Sequence, residues 1–208
     1  MVAVVAFVSQ KGGVGKSTLA RALAREGAKG GLRVKLADLD TQQGTAVDWH
    51  RVRLAAGIEP VISTEAYATA AQALAVAPRY DLLVLDGPAR TSAATLEIAR
   101  NSSVVVQPTG AAADDLRPAV REFHALARAG VPTARLVFAL NRIGTEAEES
   151  DARQYIREAG YETLPGSLPE RAGYRMAQNT GHAITETRFP PLNERADSLI
   201  QALIDRIG

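Results

Sequence analysis

The sequence has no cysteine, so it can form neither a disulfide framework nor a site with thiolate ligands, such as an iron–sulfur cluster. It has almost no charge imbalance: the formal net charge is +1, and any surface for nucleic acid must therefore be a local patch. Its first apolar run, residues 2–8, is too short to cross a bilayer and leads into glycines, which favours a buried strand. These absences are typical of a reducing compartment, and we expect the cytoplasm.

The residues that are present indicate a soluble α/β protein. Hydrophobic residues make up 46% and charged residues 23% of the 208, and this length predicts a single domain over residues 1–208. Short apolar segments alternate with alanine-rich segments of helical period, which predicts a doubly wound, mainly parallel sheet with helices on both faces. The predicted strands are 2–8, 33–37, 60–63, 81–85, 103–106 and 135–140, and the predicted helices are 17–28, 45–56, 66–77, 93–100, 114–129, 146–159 and 192–207.

A segment rich in glycine and lysine lies between the first predicted strand and the first predicted helix. Glycine permits backbone angles closed to other residues, so consecutive N–H groups can turn inward on phosphate oxygens at a helix N-terminus. Lys16 adds positive charge for the terminal phosphates, Ser17 a hydroxyl for Mg²⁺, and Thr18 a hydroxyl for the α-phosphate. The segment therefore predicts a phosphate-binding loop made of Lys11, Gly12, Gly13, Val14, Gly15, Lys16, Ser17 and Thr18.

The usual loop pattern, G-x-x-x-x-G-K-[ST], fails by one residue because Gln10 stands where its first glycine belongs. The pattern that is present, K-G-G-x-G-K-[ST], resembles the deviant Walker A motif of the ParA and MinD superfamily of P-loop ATPases. The resemblance covers residues 2 to about 186 and implies a P-loop NTPase fold with ATP and Mg²⁺ as cofactors. It also implies that Lys11 contacts the nucleotide of the other subunit, so that ATP holds a homodimer together.

Carboxylates are expected beside the loop, because Mg²⁺ and the attacking water need oxygen partners. Asp38 and Asp40 lie in a segment similar to the family's D-x-D-P-Q, with Thr41 in place of proline, which implies that Asp40 orients the hydrolytic water. Asp86 ends an apolar run that resembles a Walker B motif. The predicted catalytic residues are Lys11, Lys16 and Asp40, and the predicted metal-site residues are Ser17, Asp38 and Asp86.

Two later segments resemble the part of the family's site that holds the base. Asn141 follows the strand predicted at 135–140, as does the family's adenine-contacting Asn, and an amide offers a donor and an acceptor together. Pro169 belongs to a segment similar to the loop that covers the base after the last strand. We therefore add Asn141 and Pro169 to the predicted ATP-binding residues.

The length, without a leading helix-turn-helix segment, resembles the compact ParA partition ATPases. That resemblance implies a slow ATPase whose ATP-bound dimer binds DNA nonspecifically on the nucleoid, until a ParB-like or other small adaptor stimulates hydrolysis. Plasmid or chromosome partition would follow from this cycle. Arginine suits phosphate recognition, and the candidate DNA contacts are Arg117, Arg121, Arg128, Arg175 and Arg188.

Two alternatives remain open at this point. A MinD-like membrane cycle needs a basic amphipathic C-terminal helix, whereas the helix predicted at 192–207 mixes acids into its polar face. Its apolar face is therefore expected to pack on the protein's own sheet, and a membrane partner is not expected. An ATPase that positions another cargo, such as chemoreceptor clusters or microcompartments, would use the same dimer and DNA switch.

Overall fold

The computed structural model describes residues 2–41, 43–88 and 93–207. Helices and strands alternate through these residues, as the apolar pattern predicts. The strands are β1 (Ala3–Phe7), β2 (Val34–Asp38), β3 (Ser63–Ala66), β4 (Leu82–Asp86), β5 (Val104–Thr109), β6 (Leu136–Ile143) and β7 (Glu162–Pro169). The helices are α1 (Lys16–Lys29), α2 (Thr45–Ala55), α3 (Ala70–Ala75), α4 (Ala93–Arg100), α5 (Ala113–Arg128), α6 (Glu146–Glu158), α7 (Ala172–Asn179) and α8 (Pro190–Ile207).

The strands form one sheet in the order β3-β2-β4-β1-β5-β6-β7, and every pair of neighbours is parallel. The predicted doubly wound α/β fold is therefore confirmed. The chain winds from β1 toward β3 through one half of the sheet and toward β7 through the other. In such folds ligands bind beyond the carboxyl ends of the strands where the order reverses, which here is the end of β1.

Helices cover both faces of the sheet because successive strand residues point to opposite sides. In β1, Val5 and Phe7 pack in the core beneath α1 and α8, whereas Val4 and Ala6 pack in the core beneath α4, α5 and α6. The apolar side of α8 is buried against the first of these cores, with Leu199, Ile200 and Leu203 each 1% exposed. This packing confirms the expectation for the last helix.

The edges of the sheet differ from the prediction. The third strand lies at Ser63–Ala66 rather than 60–63, and the following helix is shortened to Ala70–Ala75. Neither β7 nor α7 was predicted, because proline and glycine interrupt β7 and α7 is only two turns long. Pro169, predicted in a loop, is the last residue of β7. Among the described residues, no helix is long and apolar enough to cross a membrane.

Candidate functional site

The loop between β1 and α1 is shaped by two glycines with left-handed backbone angles, Gly13 at φ 75° and Gly15 at φ 111°. Gly15 is also tightly enclosed, since a Cβ there would stand 2.2 Å from Nδ2 of Asn141. Helix α1 begins at Lys16 with neither a side-chain cap nor an acid in its first turn. The N–H groups of that turn are thus open to an anion, and the positive end of the helix dipole favours one.

A cavity of about 250 Å³, which we call the loop cavity, opens over these N–H groups. Residues that follow β1, β2 and β4 line it, together with one residue from β6. The structure therefore brings together, at the reversal point of the sheet, a large part of the predicted site: Gly12, Gly13, Gly15, Lys16, Ser17, Thr18 and Asp40.

Cations approach the loop cavity from α1. Lys16 is 7% exposed, and burial lowers its pKa although Asp86, Asp40 and Glu122 act in the opposite direction. Arg21, one turn further along, donates to the carbonyl of Thr45 and, at 3.3 Å, to Gln178. Its guanidinium also stacks on Trp49, 5.6 Å from the ring centre. Arg21 therefore ties the starts of α1 and α2 to α7 around the cavity.

The surroundings of Asp86 show whether the site fits a metal ion. It ends β4 and is 1% exposed, and among the described residues neither of its carboxylate oxygens has a hydrogen-bond partner. Burial raises its pKa to about 7, with Asp38 adding to the effect and Ser17, Arg21 and Lys16 opposing it. A buried carboxylate with two unengaged oxygens beside a phosphate-loop serine fits a hydrated Mg²⁺, which keeps several waters as ligands.

The metal's other ligands would have to be water, phosphate and the Ser17 hydroxyl. Ser17 Oγ accepts a hydrogen bond from Oγ1 of Thr45 at 3.0 Å. In the part of the chain that the structure describes, no group of three or more histidine, aspartate or glutamate side chains could hold a metal alone. Few protein ligands are typical of a Mg²⁺ site in which the phosphates of a bound nucleotide supply part of the coordination.

The two aspartates after β2 differ in their surroundings. Asp38 is fully buried and its oxygens accept from the N–H groups of Asp40, Ala46 and Val47, at 3.0, 2.9 and 3.4 Å. It therefore fixes the turn into α2, and a place in the water shell of a metal stays a prediction. Asp40 is partly exposed in the loop cavity, and its carboxylate accepts a hydrogen bond from the N–H of Gln43 at 3.3 Å.

Helix α5 holds the beginning of the loop at two points. The ammonium group of Lys11 pairs with Asp115 in its first turn, and the Lys11 side chain is half exposed. Deeper in the protein, Glu122 is 1% exposed and accepts from the N–H of Gln10 at 3.1 Å and from Gln107 at 2.7 Å. Lys11 is thus on the open side of the loop, while the backbone before it is fixed.

The predicted base-contacting residues lie beside a second, smaller cavity of about 70 Å³, shared by Gly15, Thr18, Asn141, Arg142 and Pro169. Asn141 is 8% exposed and already uses both ends of its amide: Nδ2 donates to the carbonyl of Val14 at 2.7 Å and Oδ1 accepts from the N–H of Arg142 at 3.0 Å. These bonds give Asn141 a role in holding the phosphate loop. A contact with adenine remains a prediction.

Comparison with known proteins agrees with this geometry. A model of the family described as the CobQ/CobB/MinD/ParA nucleotide binding domain matches residues 5–184, which include every residue predicted to bind ATP or the metal. The chain belongs to this family. No curated protein sequence matches this member of the family.

Solved structures of other proteins share the fold at low sequence identity. The MinD cell division protein of Aquifex aeolicus has a TM-score of 0.75 and 19% identity, with 98% of each chain covered. The septum site-determining protein MinD of Pyrococcus horikoshii OT3, complexed with Mg-ADP, has a TM-score of 0.77 and 16% identity. The match covers 98% of the present chain and 96% of the Pyrococcus chain. A candidate plasmid partition protein of Borrelia burgdorferi B31, bound to AMPPNP, has a TM-score of 0.75 and 16% identity, and the match covers both chains completely.

Sequence reasoning about the site missed three charged residues that reach the phosphate loop from elsewhere. Arg21 is hidden in the periodic pattern of α1, and Glu122 in that of α5. Arg142 follows Asn141 at the end of β6 and lines both cavities. Of the three, Glu122 alone could have been noticed in the sequence. It occupies a position of α5 that the apolar pattern predicts to be buried, and a buried carboxylate needs partners.

The raised pKa of Asp86 predicts a pH dependence of stability in the absence of nucleotide. Its pKa is about 3.8 in the unfolded chain and about 7 in the folded one, so the folded state binds more protons between these values and its stability falls as pH rises. Asp86→Asn removes this loss. We expect the stability of Asp86→Asn relative to wild type, measured by urea unfolding from pH 5 to 8, to increase by up to about 1.4 kcal/mol per pH unit until pH 7.

Asp81→Asn is the matched control. Arg33 lowers the pKa of Asp81 to about 2, so this carboxylate is ionised in both states over the whole pH range. Its stability difference from wild type should be constant from pH 5 to 8. A constant difference for Asp86→Asn as well would contradict the assignment.

Proposed function

We propose that the chain is a ParA-type ATPase that binds ATP with Mg²⁺ and whose ATP-bound homodimer binds DNA nonspecifically to drive plasmid or chromosome partition. The observation that carries the proposal is the uncapped start of α1 behind a loop with Lys11 on its open side. Membership in a nucleotide-binding family supports it. So do the Mg-ADP and AMPPNP bound to the MinD and partition proteins of the same fold.

In this proposal the loop N–H groups and Lys16 bind the β- and γ-phosphates, while Ser17 and a water held by Asp86 bind Mg²⁺, which neutralises the charge that develops on the phosphates. Asp40 orients the attacking water, since its partly exposed carboxylate lies in the loop cavity. Lys11 completes the site of a second chain. Hydrolysis is slow until a small adaptor protein, ParB-like or of another kind, stimulates it.

The DNA part of the proposal is supported by one face of α5. Arg117, Arg121 and Arg128 are exposed there, and their spacing of four and eleven residues places them within about 40° of one another around the helix. Among the described residues, none of the three forms a salt bridge with a carboxylate. Such a stripe can bind successive phosphates of a duplex. Arg175, which pairs with Glu170, and Arg188, which stacks on Phe189, are less available.

Among the alternatives, the packing of α8 disfavours a MinD-like membrane cycle, because the apolar residues that would enter a bilayer are already buried in the core. A different cargo, such as chemoreceptor clusters or microcompartments, would use the same site and the same face of α5. The adaptor that stimulates hydrolysis would distinguish it from partition.

The test is DNA binding as a function of nucleotide and salt, measured by fluorescence anisotropy with a duplex of arbitrary sequence. We expect binding with ATP and Mg²⁺ but not with ADP or without nucleotide. Replacing Arg117, Arg121 and Arg128 together by glutamine should lower affinity at least tenfold and the salt slope by about 2 to 3, near 0.9 per lost phosphate contact.

The control replaces three exposed arginines outside α5, Arg51, Arg79 and Arg157, by glutamine, so that the net charge changes equally. Its affinity and salt slope should remain close to those of wild type. Binding that ignores nucleotide, or an equal loss in both triple variants, would contradict the proposed DNA surface.

A further inference from the structure

Strand β6 ends in a β-bulge at Arg142. Asn141 is paired with Leu168 of β7 and Ile143 with the very next residue, Pro169, so Arg142 is an extra residue on the β6 side. Its φ is 58°, and it is the one residue other than glycine with a positive φ among the residues that the structure describes. Bulges of this kind commonly lie next to active sites, where they redirect a side chain.

Arginine is an unfavourable residue for this backbone conformation. A Cβ in the left-handed region is too close to the following carbonyl, which is why glycine, and less often Asn or Asp, usually occupies such positions. Elsewhere in the described chain the left-handed positions are all glycine. A strained residue that persists is a reason to ask what its side chain does.

The side chain of Arg142 reaches the phosphate loop. Its Nη2 lies 4.0 Å from the point where a Cβ on Gly13 would be, and the residue lines the loop cavity as well as the smaller cavity beside Asn141. Within the described residues its guanidinium forms no salt bridge with an acid, whereas Lys11 of the loop is paired with Asp115. The guanidinium of Arg142 therefore lies beside the loop whose N–H groups would face a bound phosphate.

We propose that Arg142 is a phosphate ligand of the nucleotide, directed by the bulge across the mouth of the loop so that affinity depends on the number of phosphates. The inference rests on the proposed binding of ATP. Guanidinium offers a planar pair of N–H donors that matches two phosphate oxygens, and such charge-assisted bonds are stronger than neutral ones. Arg142 would bind the nucleotide of its own chain, opposite Lys16, because both residues line one loop cavity.

The experiment measures the affinity of ATP, ADP and AMP by calorimetry for wild type, Arg142→Gln and Arg142→Gly. Arg142→Gln keeps the Cβ and loses the charge. We expect both variants to bind ATP and ADP at least about tenfold more weakly and AMP less than about threefold more weakly. Arg157→Gln, at an exposed position on α6, is the control and should bind all three like wild type.

A second readout distinguishes a ligand from a structural residue. Without nucleotide, Arg142→Gly should unfold at the same temperature as wild type or at a higher one, because glycine removes the strain of the left-handed position. A phosphate ligand predicts this combination of weaker binding and undiminished stability. A residue needed only for the fold would lose stability instead, and that result would overturn the inference.

Unchanged affinity for ADP in both variants, while wild type binds it, would overturn the inference and leave the proposed ATP binding intact. An equal loss for AMP and ADP would also overturn it, since the lost contact would then lie with the base, the ribose or the first phosphate. If wild type bound none of the three nucleotides, the proposed function would fail first and the inference with it.

Discussion

Replacing Gly15 with alanine is expected to weaken nucleotide binding by at least about a hundredfold, which corresponds to about 2.7 kcal/mol or more of binding free energy. Two independent features of the position act together. Its backbone, at φ 111° and ψ 17°, has a left-handed conformation that residues with a Cβ rarely adopt. The added methyl would also stand 2.2 Å from Nδ2 of Asn141, a distance that no real contact reaches.

The collision can be relieved only by moving parts of the site. If Asn141 moves, its buried hydrogen bond to the carbonyl of Val14 is lost, and a buried carbonyl without a partner costs free energy. If the loop moves, the N–H groups at the start of α1 no longer converge on the same anion. Calorimetric titration with ADP and Mg²⁺ measures the result directly.

Gly130→Ala separates the collision from the backbone strain. Gly130 has a φ of 92°, but nothing lies within 4 Å of the place where its Cβ would be, and the residue follows α5 at a distance from the loop in the sequence. This variant should lose about 1 kcal/mol of stability and bind ADP like wild type. Equal affinities for ADP in the two variants would show that the loop does not need glycine at position 15.

The fold could be predicted from the sequence wherever a strand is buried on both faces. β4 reads as an uninterrupted apolar run because every residue from Leu82 to Asp86 is buried, and the same holds for β1 apart from its first residue. The phosphate loop could be predicted equally well, since its glycines must occupy fixed places in the sequence for the turn to form. Local chemistry determines these features, and local chemistry is visible in a sequence.

What could not be predicted depends on contacts between distant segments. Arg53 reads as a surface residue of α2, yet it is fully buried, donating to Glu186 at 2.7 Å and to the carbonyls of Gly181 and Glu59. Its partners are more than a hundred residues away or lie in an irregular turn, so no local sequence pattern predicts these contacts. β7 was missed because proline and glycine interrupt its pattern, and its place at the edge of the sheet follows from its pairing with β6.

The candidate site divides in the same way. The loop, Asp40 and Asp86 were predicted and lie close together. The role of Asp38 in stabilising the turn before α2 was not predicted, and it is seen from the three backbone N–H groups that donate to its carboxylate. The positions of Arg21, Glu122 and Arg142 follow from helices and a bulge that bring side chains back to the loop. The sequence thus predicted the residues of the loop itself better than the residues that reach it from other elements.

Lys11 is the residue that would convert the nucleotide state into the assembly state. In the single chain its ammonium is half exposed and pairs with Asp115, a surface contact worth less than about 1 kcal/mol, so it can be exchanged for a stronger partner. A phosphate of a neighbouring chain's nucleotide is such a partner. Two symmetric contacts of about 1.5 to 3 kcal/mol each would change the dimerisation constant by roughly 10² to 10⁴.

The measurement that tests this account most directly is sedimentation velocity of the Asp40→Ala chain, with Lys11→Ala or Lys29→Ala added. We expect the Asp40→Ala change to slow hydrolysis and so to preserve the ATP-bound state. Lys29 is an exposed lysine at the end of α1 and serves as the control. We expect dimers with ATP and Mg²⁺ and monomers with ADP, unaffected by Lys29→Ala. Lys11→Ala should bind ATP but remain monomeric, and an undiminished ATP-dependent dimer in that variant would contradict the account.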